Sequence, residues 1–149
     1  QEGIKNISGF SQKTQFGIFF FDARMSKFPP SGRPAEANPA MKAAAQSYVM
    51  SQQPGQGTCA KPALAQALIY ANASSSKRKL IIYIWDGFTT CPGQDEVAYI
   101  ASTLAETNAK NNQKTKINAI CIGPPNQVNE DFPKKLAAQS GGQYARIVQ

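Results

Sequence analysis

The sequence predicts an α/β fold in three layers, with a mainly parallel central sheet and helices on both faces. Three observations carry this. Leu80-Ile81-Ile82-Tyr83-Ile84-Trp85 is a continuous apolar run that stops at Asp86-Gly87. Such a run reads as a strand buried on both faces, as in a parallel sheet covered by helices. Lys116 to Ile122 is a second apolar strand. Around these two lie segments of helical periodicity with their own start and stop residues, and that alternation is the pattern of a mainly parallel sheet.

Taken in order, Lys5 to Phe10 reads as the tail of a helix or a loop entry. Gln15 to Asp22 reads as one buried strand ending in an acid, and Ala23 to Phe28 as a short strand. Pro29-Pro30-Ser31-Gly32-Arg33-Pro34 is a loop, because its prolines and glycine block both helix and ladder. Asn38-Pro39 starts a helix, with Asn as cap and Pro at the first helical position. Ala40 through Gln52 follows, with Met41, Ala44 or Ala45, Tyr48 and Val49 on one face. Pro54-Gly55-Gln56-Gly57 ends it. Thr58 is placed to cap the next helix, which Pro62 helps open and whose inward stripe is Ala63, Leu64, Ala67, Leu68 and Ala71. Ser74-Ser75-Ser76 leads into the Leu80 strand. After Asp86, a loop from Phe88 to Gln94 precedes a helix from Asp95 to about Asn111, with Val97, Ile100, Ala101 and Leu104 inside. Gly123-Pro124-Pro125-Asn126 is a turn-rich loop. A helix opened by Asn129-Glu130-Asp131 stops at Gly141-Gly142, and Tyr144 to Val148 is the last strand. No repeat and no second domain is evident, so residues 1–149 read as a single domain.

The length of 149 residues suits one domain with a real core. A hydrophobic fraction of 42% and a charged fraction of 17% are those of an ordinary folded protein. No apolar run approaches the roughly 20 residues that cross a bilayer, so no membrane span is expected. The chain begins at Gln1 without Met or a signal peptide, which reads as a processed or trimmed product. The net charge of +7 comes largely from Lys77-Arg78-Lys79, Lys110, Lys114, Lys116 and Lys134-Lys135, in predicted loops and helix ends. Aromatics are not interleaved with them as a single-strand binding surface needs. A solvated basic surface is favoured over a nucleic-acid or anionic-polymer patch, and no nucleic-acid partner is expected.

The chain has no histidine, which removes Ser-His-Asp and Cys-His nucleophile systems and His-based zinc sites. Its three cysteines form no C-x-x-C pair, which argues against a redox motif or zinc ribbon. No phosphate-binding glycine loop follows a strand and no G-x-S-x-G elbow is present, so no enzymatic activity is expected. Asn6-Ile7-Ser8 and Asn72-Ala73-Ser74 have the form of glycosylation sequons, a triplet common by chance. Asp86 itself reads two ways. It stands beyond the carboxyl end of a strand, where open α/β sheets place their ligands, or it merely starts a turn with Gly87.

Four motifs in order resemble the von Willebrand factor type A domain. They are Gly57-Thr58 opening a helix, Lys79 to Gly87 as strand plus Asp-Gly, Ile117 to Gly123, and Phe132…Leu136-Ala137…Ser140-Gly141-Gly142-Gln143-Tyr144. The resemblance spans about Phe16 to Val148 and implies a Rossmann-like three-layer sandwich. It also implies a metal-ion-dependent adhesion site on top of the sheet, in which Thr58 matches the family threonine and Asp86 the family aspartate. Hydroxyl and carboxylate oxygens suit a hard cation such as Mg²⁺, with an open position for a partner's carboxylate. The family's D-x-S-x-S motif occurs nowhere in this sequence, and Asp22, followed by Ala-Arg-Met, does not replace it. The implied site is therefore incomplete, and Mg²⁺ or another divalent cation is expected only if those ligands are supplied from elsewhere. As plain structure, Thr58 is a helix cap and Asp86 a turn residue.

The resemblance further implies a missing strand between the Phe16–Phe21 and Leu80–Trp85 strands. Its absence would expose two ladders of unpaired backbone groups. The hypothesis is that residues upstream of Gln1 or a separate segment fills that place. An intact mass of the source protein equal to these residues alone would remove the upstream version. In the implied fold Cys59 and Cys91 share the upper rim, within disulfide reach. A bridge there would stabilise by roughly 3 kcal/mol in the chain-entropy model and would imply an oxidising compartment; two free thiols are the alternative. Cys121, in mid-strand, is expected in the core.

The functional expectation is a protein-binding, adhesion-type module. It would recognise another protein through loops at the C-terminal edge of the sheet around Thr58, Asp86 and Phe88, in an extracellular, cell-surface or periplasmic setting. The alternative is a metal-independent structural domain of a larger surface or secreted protein. An enzyme on a Rossmann-like sheet ranks behind both.

Overall fold

The computed structural model describes residues 2–87, 90–124 and 129–148. In chain order the elements are α1 (Glu2–Gly9), β1 (Gln15–Phe16), β2 (Ile18–Phe21), β3 (Met25–Phe28), β4 (Ala35–Glu36), α2 (Pro39–Ser51), α3 (Ala60–Ala73), β5 (Leu80–Trp85), α4 (Glu96–Lys110), β6 (Lys116–Ile122), α5 (Asp131–Ser140) and β7 (Tyr144–Ile147). β5, β6 and β7 form a parallel sheet with β6 central, while β2–β3 and β1–β4 are separate antiparallel pairs.

The register decides which side chains share a face. Leu80 lies opposite Lys116 and Ala119 opposite Tyr144. Because strand side chains alternate, Tyr83, Trp85, Ile117, Ala119 and Cys121 all point the same way. They are buried against Ala60 and Leu64 of α3 and Phe132, Leu136 and Ala137 of α5, with Ile100 and Leu104 of α4 alongside. Phe132 meets both Tyr83 and Trp85 edge-on, with centroids 5.8 and 5.7 Å apart, a geometry that aligns ring edge with ring face. Cys121 is fully buried there, as expected.

The hairpin β2–β3 joins this core through side chains. Phe21 stacks on Tyr83 at 5.8 Å, and Phe19 meets Tyr70 of α3 edge-on at 4.8 Å. A second core gathers Ile7, Phe16, Ala35, Ala37 and Ala45, with Met41 and Val49 of α2 packed against it. Lys42 of α2 reaches back and donates to the carbonyls of Ser8 and Phe10, which end α1.

The end signals hold well. Asn38 Oδ1 accepts from Met41 N at 2.9 Å with Pro39 next in line, and Asp95 Oδ1 accepts from Ala98 N at 2.9 Å. Gly141 closes α5 in the left-handed conformation at φ 70°.

Four expectations are corrected. β5 is buried on one face only: Leu80, Ile82 and Ile84 are 53%, 58% and 55% exposed. The described helices α3, α4 and α5 all lie on the other face, and β5 has no ladder partner beyond β6 among the described residues. The expected Gln15–Asp22 strand is split at Gly17, where a Cβ would sit 2.7 Å from the Tyr70 ring; β1 pairs instead with β4, too short to read in sequence. Helix α3 begins at Ala60 with Cys59 at its cap position, so Thr58 does not cap it. In α4 the buried stripe is Tyr99, Thr103 and Thr107, while Val97 and Ala101 are exposed. Thr103 can be buried because its hydroxyl donates to Tyr99 O at 2.7 Å.

A paired measurement checks the one-sided core. Leu136→Ala is expected to lose about 2–5 kcal/mol in denaturant unfolding, and Ile82→Ala less than about 1 kcal/mol because Ile82 already faces water. Equal losses would mean that both faces of the sheet are covered.

Candidate functional site

Three loops meet at the C-terminal end of the strands. Residue 22 follows β2, residues 56–59 precede α3, and residues 90–94 follow β5. Backbone bonds knit them: Ala23 N donates to Gln56 O at 2.8 Å, Cys59 N to Asp22 O at 2.8 Å, and Thr58 N to Thr90 O at 3.0 Å. The Cys59–Cys91 disulfide, with Cα atoms 4.8 Å apart, locks the second loop to the third. The bridge expected from the implied fold is thus present.

Glycines make the close approach feasible. Gly57 has φ +81°, and a Cβ there would sit 2.9 Å from Pro92 Cδ and 3.1 Å from Thr90 O. A Cβ on Gly55 would overlap the Asp22 carboxylate, whose Oδ1 accepts from Arg24 N at 2.6 Å. A larger residue at Gly57 is strained by its positive φ and crowds the 90–92 backbone, whereas one at Gly55 must displace the Asp22 side chain.

The loops border a shallow, widely open cleft of about 430 Å³ lined by Gln56, Gly57, Thr90, Cys91, Pro92, Gln94 and Glu96. Of these, sequence reasoning singled out Cys91 and, within the Gly57-Thr58 motif, Gly57. Gly57 beside Thr58 was the available signal; Gln56, Gln94 and Glu96 carry no motif. Thr58 is half-buried on the loop behind the cleft, held by its backbone to Thr90. Asp86 is exposed and directly follows β5 at the same end of the sheet. Phe88 lies outside the described residues, as do Pro125 and Asn126 of the turn-rich loop.

Below the rim, burial pushes the Tyr83 hydroxyl well above the usual tyrosine range, and nearby Tyr99, Asp86 and Cys121 act in the same direction. Tyr83 is therefore a neutral core group. Glu130 accepts from Arg146 and lies 2.8 Å from Lys134 Nζ, which ties the start of α5 to β7. Among the described residues no three His, Cys, Asp or Glu side chains gather as a metal cluster would.

No family model and no curated protein matches the sequence. A solved structure described as von Willebrand factor type A from Catenulispora acidiphila is similar, with a TM-score of 0.82 and 19% identity over 97% of this chain. This chain spans 32% of that one. The likeness shows the fold: a von Willebrand factor type A, Rossmann-like α/β fold, in which the described sheet is partial.

The disulfide predicts a thiol count. Denatured, unreduced protein should titrate one thiol, from Cys121; three would contradict the bridge. Replacing Cys59 and Cys91 by serine should cost about 2–4 kcal/mol, from the chain entropy released over a separation of 32 residues.

Proposed function

We propose that the chain is a protein-binding module, without catalysis of its own, that engages its partner through the rim around Thr58, Asp86 and Phe88. The supporting observation is the cleft between the 56–57 and 90–96 segments, walled by a disulfide and inter-loop hydrogen bonds. Loops carried rigidly by a packed sheet present a fixed surface, which lowers the ordering cost of association. A cleft of this size with polar Gln56, Gln94 and Glu96 at its edge suits a partner side chain or short loop. Von Willebrand factor type A folds commonly serve such interactions, and a disulfide is compatible with an extracellular, cell-surface or periplasmic setting.

The cation version of this reading assigns Mg²⁺ or a similar ion to Thr58 and Asp86. Those residues supply two oxygens from separate loops, fewer than a hard cation needs for tight retention. They do not by themselves fit a resident ion, so that version requires oxygens from outside these residues. A metal-independent structural role within a larger surface or secreted protein is the second reading. It is favoured by the uncovered face of β5, which suits burial against further polypeptide.

Two experiments test the proposal. A photo-crosslinking residue at Thr90, introduced in cells that make the protein, should capture a partner, and Gln56→Arg with Gln94→Arg should abolish capture. Capture that survives both substitutions, or occurs equally from position 114 at the opposite end, contradicts the rim assignment. Calorimetric titration of these residues with Mg²⁺ or Mn²⁺ should show no tight binding. Tight binding lost on Asp86→Ala would establish the cation version instead.

A further inference from the structure

Cations that are separate in sequence meet at one end of the molecule. Lys77, Arg78 and Lys79 lead into β5, and Lys114 and Lys116 lie at the start of β6. Parallel pairing sets Leu80 opposite Lys116, so both approaches lie on the N-terminal edge of the sheet. Lys79 Nζ donates to Gln113 Oε1 across the two loops, and Lys110 closes α4 on the same side. No Asp or Glu occurs in 74–80 or 110–117. Glu106, one turn back in α4, is engaged by Lys61 at 3.1 Å and Lys110 at 3.8 Å. Lys77, Arg78, Lys114 and Lys116 are exposed and make no ion pair among the described residues.

Like charges held together repel, and an anionic surface offsets that repulsion. The chemistry of the edge selects the kind of anion. The leading segments 74–80 and 110–117 contain no Phe, Tyr or Trp on which a base would stack. Five of the six cations are lysines, mobile point charges rather than planar forks for fixed phosphates. Exposed Leu80 and Ile82 adjoin them on the open sheet face, which a lipid interface accommodates and a nucleic-acid backbone does not.

We propose that the N-terminal edge of β5 and β6 docks peripherally on an anionic phospholipid bilayer through Lys77, Arg78, Lys79, Lys110, Lys114 and Lys116. A basic residue near such a surface contributes about a fivefold gain in partitioning, and the attraction decays within a Debye length. Docked this way, the chain turns its disulfide-locked rim away from the membrane, towards a protein partner.

Cosedimentation with vesicles tests this on the 149-residue chain. Vesicles of phosphatidylcholine with one third phosphatidylserine should bind at low salt, pure phosphatidylcholine vesicles should not, and 0.3 M salt should reduce binding more than tenfold. Lys77→Glu with Lys114→Glu should lower partitioning at least about 25-fold, two cations at about fivefold each, with an unchanged circular dichroism spectrum. Lys135→Glu, on α5 and outside both approaches, should lower it less than the paired Lys77→Glu and Lys114→Glu change. Equal binding to both vesicle types would assign the effect to the apolar face. Absence of binding, an equal loss in Lys135→Glu, or tighter binding to single-stranded RNA than to the anionic vesicles at the same salt would each overturn the proposal.

Discussion

The structure depends on one packing constraint: β5, β6 and β7 present a single apolar face to α3, α4 and α5. Tyr83, Trp85, Ile117, Ala119 and Cys121 supply the sheet side of that contact, and Leu64, Phe132 and Leu136 the helix side. Parallel strands require crossovers, and right-handed crossovers through α4 and α5 bring both helices to that face. The same face then holds the β2–β3 hairpin, since Phe21 stacks on Tyr83 without a backbone ladder between their strands among the described residues. Burial there is near complete, so the aromatic cluster around Phe132 fixes the relative position of every element that bears the rim.

From this constraint follow two unlike ends. At the C-terminal edge, three loops are pinned by backbone hydrogen bonds and by Cys59–Cys91, with glycines at the points of closest approach. That end is cross-linked and shallowly concave. At the N-terminal edge, the approaches to β5 and β6 are short and lysine-rich, and the parallel register concentrates their charge. The proposed partner binding at one end and the proposed anionic docking at the other are compatible because the sheet separates them.

Much of this was legible in the sequence, for physical reasons that differ by element. The Asn38-Pro39, Asp95 and Gly141 signals mark helix ends because caps are local chemistry, satisfied within three or four residues. The boundaries of β5 and β6 followed from apolar runs, unbroken in β5 and interrupted in β6 by Asn118. The inward stripe of α4 did not: Val97 looked like core, yet Thr103 and Thr107 are buried, Thr103 because a hydroxyl that bonds back to its own helix loses its polarity penalty. The open face of β5 was hidden because Leu80, Ile82 and Ile84 are as apolar as Tyr83 and Trp85, and a sequence does not say which side receives helices. At the rim, the disulfide was readable once a fold placed both cysteines at one end, whereas Gln56, Gln94 and Glu96 acquire meaning only from the cleft they line.

The central claim is that, among the described residues, β5 is held on one side only, by β6 and the aromatic core. Hydrogen exchange of individual amides, followed by NMR on the 149-residue chain, tests it most directly. Amides of β6 at Ala119 to Cys121 should exchange only through global unfolding, since this strand is paired on both sides. Along β5, alternate amides should be protected where they face β6 and exchange rapidly where they face away. Uniform protection along Leu80 to Trp85 would contradict a free edge, and uniform rapid exchange there would contradict its role in the core.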